Sequence, residues 1–436
     1  MSSKTEDPVT ALEAQLDKQL AEVPSEPRRW VIALSGGLDS SLLLELMARL
    51  KPSDQLAAIH VNHQLQTDAD NWAERCRQHC ERLGVSLSTV TVKPASATEA
   101  DARRARYDAF EKKLKAGDCL LLAQHADDQA ETLLLRLMRG AGVAGLTGMP
   151  MRRPLGKGYL LRPLLQAPRA MLEAASEQLG LEPIEDPSNA GDAYDRNWLR
   201  HHILPRLKQR WPQVLKRCQD TTVVMQDSRF LLEQRAQEDL DVIVSGVRQL
   251  DLQLLRRLDV ARQRNVLHYW LARETGHRLD YRRVCQLQQW LTREAAQGQA
   301  RLGQWQLRCY HERAWLLPLE LPAPPGSQLI HAGETVELGP GLGQIRWRRA
   351  EQGVAPGTLL TLQCRQGGER LRPRGRGGSV SLKQLLQEAG IPPWLRPYQP
   401  LLLRGDEILA VPGVCLCEAA DDAEGVVPEW HGFGLS

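Results

Sequence analysis

A glycine-rich hexapeptide near the start of the chain has residue types suited to binding phosphate. It spans Ser35 to Ser40 and follows an apolar run, Trp30 to Leu34, that predicts a buried strand. Its two glycines allow a sharp turn and a close approach of backbone to ligand. The helix predicted to follow would present unpaired N–H groups and a partial positive charge. Together these features predict an anion site at the strand-to-helix turn.

The acidic residue in this turn indicates a metal ion. Asp39 would repel a phosphate unless a cation lay between them, so we predict Mg²⁺ bound through Asp39. No lysine follows the glycines, which excludes the G-x-x-x-x-G-K-[ST] loop, and the hexapeptide itself does not have the G-x-G-x-x-G dinucleotide pattern. The alternative is a strand-to-helix turn that needs glycine only for its backbone conformation. Such a turn would not also require Ser35, Asp39 and Ser40 beside the glycines.

The segments around this turn must position it, and they alternate regularly between strand and helix. The predicted strands are 30–34, 56–61, 85–92, 119–123 and 159–164, and the predicted helices are 8–22, 40–50, 71–83, 99–115, 127–138, 168–179 and 195–210. This order predicts an α/β fold, a parallel sheet with helices on both faces. Ligands of such sheets bind at the carboxyl ends of the strands. A glycine-rich loop at 139–148 and a polar turn at 185–189 complete the region.

The pattern changes from about residue 218, where Leu, Gln and Arg become abundant, and short strand-like runs follow residue 300. We predict a catalytic domain at 1–217, a mainly helical domain at 218–340 and a small α+β domain at 341–436. The 436 residues carry a net charge of +3, so charge alone does not indicate a nucleic-acid partner.

The composition predicts a cytoplasmic protein. The nine cysteines include no C-x-x-C pair, which is typical of reduced thiols. No apolar run is long enough to span a membrane, so we expect no membrane partner. The polar N-terminal segment does not fit a secretory signal. The sequence does not fix the oligomeric state, and a homodimer stays open.

The motif S-G-G-x-D-S after the first strand resembles the phosphate loop of the N-type ATP pyrophosphatases. The resemblance implies a Rossmann-like PP-loop domain that cleaves ATP between its α- and β-phosphates and adenylates an oxygen of its substrate. AMP and pyrophosphate would be the products. We expect ATP contacts from the loop and from side chains at strand ends: Ser35, Gly36, Gly37, Leu38, Asp39, Ser40, His60, Asn62 and His125.

Further segments narrow the resemblance to one family. They are, in order, His60–His63, Ala102–Tyr107, His125–Thr132, Arg139-Gly140, Arg196-Asn197 and Leu199-Arg200. This set is similar to the tRNA(Ile)-lysidine synthase family, as is the run Lys383–Arg396 near the C-terminus. The resemblance therefore covers both ends of the chain and leaves the middle without a matching motif.

The resemblance implies a specific reaction. ATP adenylates the wobble cytidine of an isoleucine tRNA with a CAU anticodon, and free L-lysine then attacks carbon 2 and displaces AMP. Asp128 and Glu131 lie three residues apart and share one helix face. By resemblance these two acids bind lysine, with Arg103 and Arg196 near the reacting groups or near the anionic oxygens of the substrates. The predicted catalytic residues are Asp39, Arg103, Asp128, Glu131 and Arg196.

Binding a tRNA also requires cationic side chains outside the catalytic pocket. We expect contacts from Arg139, Arg200, Arg370, Arg372 and Arg374. An anticodon loop is single-stranded, so its bases can be read directly. We expect the C-terminal domain to hold the acceptor side of the tRNA and the middle domain to support the anticodon arm.

Each candidate residue also has a purely structural interpretation. Asp127 would serve as a helix N-cap, Asp128 and Glu131 would be first-turn acids that favour the helix dipole, and Arg103 would be a solvated helix arginine. Tyr107 fits the core, and His63 fits a structural role better than a catalytic one.

Three other functions compete with lysidine synthesis. A PP-loop tRNA thiolase usually needs a C-x-x-C pair or an iron–sulfur site, and an amidotransferase-type ligase needs a glutaminase partner; the sequence carries no signature of either. A non-catalytic RNA-binding protein with a vestigial ATP fold is the third. The presence of Ser35, Asp39, Asp128 and Glu131 together argues against such decay.

Overall fold

The computed structural model describes residues 7–23, 26–64, 68–93, 95–96, 98–184, 191–192, 194–339 and 341–431. The chain forms two compact units, Met1–Leu231 and Leu232–Ser436. The polar turn predicted at 185–189 lies outside the described residues. No helix in the described part is both long and apolar enough to cross a membrane.

The first unit is built on one mostly parallel sheet with the strand order β3-β2-β1-β4-β6-β5. Its strands are β1 (Arg29–Ala33), β2 (Leu56–Asn62), β3 (Ser86–Thr91), β4 (Asp118–Leu121), β5 (Arg152–Leu155) and β6 (Gly158–Leu161). The central strand β1 is parallel to β2 and β4, with Ile32 opposite both Ala58 and Leu121. Only the edge strand β5 is antiparallel, through a hairpin with β6 that the sequence pattern did not predict.

Helices cover both faces of this sheet. They are α1 (Pro8–Ala21), α2 (Leu38–Leu50), α3 (Ala69–Arg82), α4 (Glu99–Lys113), α5 (Ala126–Met138), α6 (Val143–Leu146) and α7 (Arg169–Gln178). Successive side chains of a strand point to opposite faces. Trp30 and Ile32 therefore join the core under α1, α2 and α7, whereas Val31 joins the core under α4 with Phe110. The predicted α/β class is confirmed.

The basic segment 195–210, predicted as one helix, is divided into three parts. It consists of α8 (Asp195–Trp198), a wider π-helical turn (Leu199–Ile203) and α9 (Leu204–Arg210). Pro205 stands in the first turn of α9 and has no N–H to donate. The N–H of Leu204 donates to the carbonyl of Leu199, five residues back. Such turns break the regular spacing of side chains and are frequent at functional sites.

The long helix α10 (Val214–Ile243) leads into the second unit. This unit begins with helices and antiparallel strands around the fully buried Trp270. Its elements up to residue 318 are β7 (Val244–Gly246), β8 (Gln249–Asp251), α11 (Leu252–Arg257), α12 (Val260–Thr275), α13 (Tyr281–Leu291), β9 (Gly298–Leu302), β10 (Trp305–Tyr310) and β11 (Arg313–Pro318). The strand order is β7-β8-β11-β10-β9.

The rest of the second unit consists of short antiparallel strands and one helix. The elements are β12 (Gln328–His331), β13 (Val336–Glu337), β14 (Gln344–Val354), β15 (Leu359–Cys364), β16 (Arg370–Leu371), β17 (Val380–Ser381), α14 (Leu382–Glu388), β18 (Pro400–Arg404), β19 (Glu407–Val411), β20 (Cys415–Leu416), β21 (Asp422–Ala423) and β22 (Val426–His431). Two sheets follow the orders β12-β15-β18-β19-β20 and β13-β14-β21, with β22 paired to β14. This agrees with the small C-terminal α+β region that the sequence predicted.

Candidate active site

A cavity of about 830 Å³ opens at the carboxyl ends of β1, β2 and β4. This is the edge at which ligands of parallel sheets bind. Many of the residues predicted from the sequence line it: Ser35, Gly37, Leu38, Asp39, Ser40, His60, Asn62, Arg103, Asp128 and Arg200. The fold therefore brings together side chains that are up to 165 residues apart in the sequence.

The glycine-rich turn has a backbone that only glycine fits well. Gly36 has φ +87°, and a Cβ there would lie 2.4 Å from Cδ1 of Ile184. The N–H of Ile184 also donates to the carbonyl of Gly36 at 2.9 Å. Gly37 is the N-cap of α2 and supplies no side-chain cap. The first N–H groups of α2 are thus left for a ligand at the positive end of the helix dipole.

Two serine hydroxyls hold this turn in shape. Oγ of Ser40 accepts from the N–H of Ser35 at 3.1 Å and donates to the carbonyl of Gly37 at 3.1 Å. Oγ of Ser35 lies 2.9 Å from Oγ of Ser40. The loop is therefore ordered before a phosphate arrives, which reduces the entropy lost on binding.

Asp39 has one carboxylate oxygen that accepts no hydrogen bond from the part of the chain that the structure describes. This buried oxygen is Oδ1, whereas Oδ2 lies 3.6 Å from Nε2 of His125 and 3.9 Å from Nη1 of Arg169. An orphaned carboxylate oxygen beside a phosphate turn fits a Mg²⁺ ligand. No cluster of three metal-ligating side chains exists among the described residues, so Asp39 would share the ion with phosphate oxygens and water.

His125 lies at the centre of the acidic side chains and caps α5. The ring Nδ1 of His125 accepts from the backbone N–H of Asp128 at 3.4 Å, and the backbone N–H of His125 donates to Oδ2 of Asp128 at 3.1 Å. Burial lowers the pKa of His125, but the carboxylates of Asp39, Asp128 and Asp127 outweigh that effect and the pKa is raised. His125 thereby joins α5 to the phosphate turn.

Asp127 is not the N-cap that its position suggested, since His125 takes that place. Its Oδ2 accepts from the N–H of Arg169 at 3.0 Å, and its Oδ1 pairs with Lys208. Burial raises the pKa of Asp127, but the contacts with Lys208, the N–H of Arg169 and His125 lower it by more. The pKa of Asp127 is therefore below its ordinary value. Asp127 thus ties α5 to the start of α7 and to α9.

The two acids predicted to bind lysine are both held by arginines. Nε of Arg196 lies 2.7 Å from Oε2 of Glu131, and Nη2 lies 3.4 Å from Oδ1 of Asp128. Nε of Arg200 lies 2.7 Å from Oε1 of Glu131, and Nη2 lies 3.1 Å from Oδ1 of Asp128. Both guanidiniums come from the divided segment 195–210, so α8 and the π-helical turn close over α5.

This four-residue cluster is largely removed from solvent. The Glu131 side chain is fully buried, and the Asp128 side chain is 13% exposed. Burial lowers the pKa of Arg196, but Asp128 and Glu131 outweigh it and the pKa rises. Two carboxylates and two guanidiniums balance in charge. The carboxylate oxygens that could hold a cationic group are thus already paired with Arg196 and Arg200.

The strand-end residues of β2 differ in their contacts. Nδ1 of the buried His60 lies 2.9 Å from the carbonyl of Leu34, and burial lowers the His60 pKa. Nδ2 of Asn62 donates to Asp70 at 2.8 Å. Both ring nitrogens of His63 are buried and have no hydrogen-bond partner among the described residues, although the ring lines the cavity.

The remaining predicted arginines lie in different environments. Arg103 is exposed at the cavity wall, where Nη2 donates to the Tyr107 hydroxyl at 3.4 Å. Arg139 is exposed, with Nη2 3.8 Å from Asp195, and does not line the cavity. In the second unit, Arg370 donates to the carbonyl of Ser379 at 2.8 Å.

The neighbouring arginines of the second unit differ in their freedom to bind a ligand. Arg374 donates to the carbonyl of Ala420 at 2.5 Å and pairs with Asp421 at 2.8 Å. Arg372 is exposed, and its guanidinium has no partner among the described residues. Of these three predicted contacts, Arg374 is paired with a carboxylate, whereas Arg370 donates only to uncharged oxygens of Ser379 and the Arg372 guanidinium makes no contact with the described residues.

Sequence reasoning missed Arg169 and Lys208. Arg169 is the first residue of α7, lines the cavity and lies 3.9 Å from Asp39. Its place just after a parallel strand could have indicated a ligand-facing role. Lys208 carried no such signal, because its pairing with Asp127 depends on how α9 packs.

A parallel sheet whose carboxyl edge carries a lysine-free glycine turn and an aspartate is typical of a PP-loop ATP-binding protein. A family model described as a PP-loop domain matches residues 8–207. Models described as the TilS substrate binding domain and the TilS substrate C-terminal domain match residues 250–315 and 360–430.

Curated relatives extend this match over nearly the whole chain. The chain is 42% identical to the tRNA(Ile)-lysidine synthase of Alkalilimnicola ehrlichii over 398 residues, 88% of each protein. It is 40% identical to that of Pseudomonas aeruginosa over 429 residues, 93% of this chain and 94% of the relative. The chain belongs to the tRNA(Ile)-lysidine synthase family, and the resemblance stated from its motifs is confirmed.

Two solved structures are similar to parts of the chain. One is the U34-tRNA thiolase NcsA from Methanococcus maripaludis with its [4Fe-4S] cluster, with a TM-score of 0.43 and 17% identity over 51% of this chain and 81% of that one. The other is a TilS C-terminal domain, with a TM-score of 0.21 and 22% identity over 24% of this chain and 98% of that one.

Proposed function

We propose that this enzyme ligates free L-lysine to carbon 2 of the wobble cytidine in the CAU-anticodon isoleucine tRNA, through an adenylated cytidine. The observation that carries the proposal is the pairing of two sites at one sheet edge. The phosphate turn with the orphaned oxygen of Asp39 suits ATP. Asp128 lines the same cavity and Glu131 lines the adjacent one, and these two acids suit an amine. His125 connects the two, since it lies 3.6 Å from Asp39 and caps the helix that carries both acids.

The first half of the reaction takes place at the phosphate turn. The cytidine O2 attacks the α-phosphorus of ATP, the bond to the β-phosphate oxygen breaks, and pyrophosphate leaves. The free N–H groups at the start of α2 stabilise charge that develops on the phosphate oxygens. A Mg²⁺ held by Asp39 would neutralise further charge there. Ser35 and Ser40 keep the turn in place.

The second half needs an amine beside the activated base. Asp128 and Glu131 bind the lysine ammonium, and one carboxylate takes its proton. The neutral amine attacks carbon 2 of the base, and AMP leaves with the O2 oxygen. For this to happen Arg196 and Arg200 must give up at least part of their bonds to the acids. Their released guanidiniums then face the anionic phosphates of AMP or tRNA.

The tRNA is held by cationic side chains of both units. Arg139 and Arg200 serve the anticodon side, and Arg372 offers an unpaired charge in the C-terminal region, where Arg370 and Arg374 shape the loop around it.

A thiolase reaction is disfavoured by the cysteines near the cavity. Cys76 lies 3.6 Å from His60, and burial raises the pKa of its thiol to about 12. Burial raises the pKa of Cys80 to about 11. Thiols buried in this way stay protonated at neutral pH and are poor nucleophiles.

Lysine transfer tests the proposal directly. The enzyme is incubated with ATP, Mg²⁺, radiolabelled lysine and either the unmodified isoleucine tRNA or the same tRNA with an altered anticodon. We expect label only in the CAU form, with one AMP and one pyrophosphate released per lysine. Pyrophosphate release without lysine transfer would instead indicate another modification of the tRNA.

A further inference from the structure

Three arginines gather around one tyrosine at the wall of the cavity. The guanidinium carbons of Arg103 and Arg153 each lie 5.1 Å from the centre of the Tyr107 ring. Nη2 of Arg103 and Nη2 of Arg162 each donate to the Tyr107 hydroxyl at 3.4 Å. The tyrosine therefore organises the three side chains through its ring face and its oxygen.

These arginines come from different elements on the same face of the sheet. Arg103 and Tyr107 are one helical turn apart on α4. Arg153 is on β5, on the same strand face as Leu155, which packs in the core under α4. Arg162 follows β6 and is 2% exposed. The arrangement is thus built by the tertiary fold.

The positive charge of this cluster is not balanced by protein. Several other arginines of this unit face carboxylates, as Arg29 faces Asp118 at 2.8 Å and Arg196 faces Glu131 at 2.7 Å. None of Arg103, Arg153 and Arg162 forms an ion pair with a carboxylate among the described side chains. Burial raises the pKa of the Tyr107 phenol, but the three guanidiniums outweigh burial and lower it. Burial lowers the pKa of Arg162, and Arg153 and Arg103 lower it further by repulsion.

We propose that Arg103 and Arg153, positioned by Tyr107, bind a phosphodiester of the tRNA backbone next to the cytidine in the cavity. Guanidiniums match phosphate oxygens in geometry and charge. The inference rests on the proposed function, because it takes a tRNA as the ligand.

The position of β5 favours a tRNA phosphate over those of ATP. In the sheet β5 is three strands away from β1, the strand that leads into the phosphate turn. At about 4.8 Å per strand, that is roughly 14 Å across the sheet. Arg153 lies on this edge strand, and Arg103 reaches the same tyrosine ring from α4 at the cavity wall. The backbone of a polynucleotide whose base enters the cavity must pass this wall.

The test compares two neighbouring arginines on β5. Arg153→Gln removes a charge of the cluster, whereas the control Arg152→Gln removes one from the opposite strand face, where Nη1 contacts the carbonyl of Glu22. The dissociation constant of the CAU tRNA is measured for full-length enzyme over a range of salt concentrations, together with the KM for ATP. We expect Arg153→Gln to weaken tRNA binding about fivefold or more and to flatten the log–log salt slope by about 0.7. Arg152→Gln should leave the dissociation constant close to that of the wild type and should change the salt slope by less than about 0.1.

Substitutions at Tyr107 test its positioning role. Tyr107→Phe keeps the ring face for Arg153 and should retain most tRNA affinity, whereas Tyr107→Leu should raise the KM for tRNA as Arg153→Gln does, with little change in kcat at saturating tRNA. If Tyr107→Leu fails to fold, the comparison of Arg153→Gln with Arg152→Gln tests the inference by itself.

Two outcomes overturn the inference. One is an Arg153→Gln enzyme whose tRNA affinity and salt slope equal those of Arg152→Gln. The other is a change confined to the KM for ATP, which would assign the cluster to ATP or pyrophosphate. Lysine transfer by the wild-type enzyme is measured in the same experiment and separates two kinds of failure. If the wild type transfers no lysine, the proposed function fails; if it does and Arg153 has no effect, only this inference fails.

Discussion

Nε of Arg200 lies 2.7 Å from Oε1 of Glu131, a carboxylate whose side chain is fully buried. Arg196 binds the other oxygen of the same group at 2.7 Å. Both acids of the proposed amine site are thereby neutralised by the protein itself. The pairing keeps a buried charge compensated in the absence of lysine, so lysine has to compete with two guanidiniums that are tethered to the same chain.

The first prediction concerns this pairing. Glu131→Gln should raise the KM for lysine more than tenfold and leave ATP binding largely intact. It should also lower the free energy of unfolding of the first unit by about 3 kcal/mol, because two partly buried guanidiniums lose a shared carboxylate. Lysine transfer and urea unfolding measure the two effects. Glu81→Gln, which breaks an exposed pair with Arg77, is the matched control and should change neither.

Asp39→Asn should abolish adenylation while preserving the fold. The amide keeps the shape of the side chain but removes the negative charge that would hold Mg²⁺ beside the phosphates. We expect pyrophosphate release to fall at least about 100-fold, with a melting temperature close to that of the wild type. Titration of Mg²⁺ at fixed ATP measures the effect. A variant that still responds to Mg²⁺ as the wild type does would remove Asp39 from the metal site.

Gly36→Ala should disrupt the phosphate turn. The added Cβ would lie 2.4 Å from Cδ1 of Ile184, and the backbone at φ +87° is strained for any residue but glycine. The left-handed conformation alone costs about 1–2 kcal/mol. We expect a large rise in the KM for ATP and a lower melting temperature. Gly142→Ala, where a Cβ meets nothing within 4 Å and φ is negative, is the control.

The sequence was sufficient to predict the parallel sheet and its phosphate turn because both depend on local patterns. Apolar strands, glycines and helix starts lie next to one another in the chain, and Gly36 and Asp39 follow directly from them. The pairing of Glu131 with Arg196 could not be predicted, since it joins residues 65 apart. The second arginine on the same carboxylate, Arg200, lies in the π-helical turn, which the helical pattern of the sequence did not predict.

The tertiary contacts of the three arginines in the C-terminal cluster could likewise not be predicted from their spacing in the sequence. The sequence grouped Arg370, Arg372 and Arg374 by spacing, but Arg374 pairs with Asp421 and Arg370 donates to Ser379. Arg372→Gln alone should therefore produce most of the loss in tRNA affinity of the triple alanine variant and flatten the salt slope by about 0.7–0.9. Filter binding at several salt concentrations checks this. Unchanged tRNA binding by the triple variant would remove the cluster from the interface.

The final prediction is a pH dependence of stability that His63 causes. Burial, with repulsion from Arg106 and His60, lowers the pKa of His63 from its ordinary value of 6.5 to about 4. Between these values the unfolded chain binds a proton that the folded protein excludes, so this stabilisation is complete above pH 6.5 and is lost as pH falls towards 4. His63→Gln cannot titrate, and its melting temperature should fall less steeply over that range. Parallel melting curves for the two proteins would contradict the assignment, because they would mean that His63 titrates alike in the folded and unfolded states.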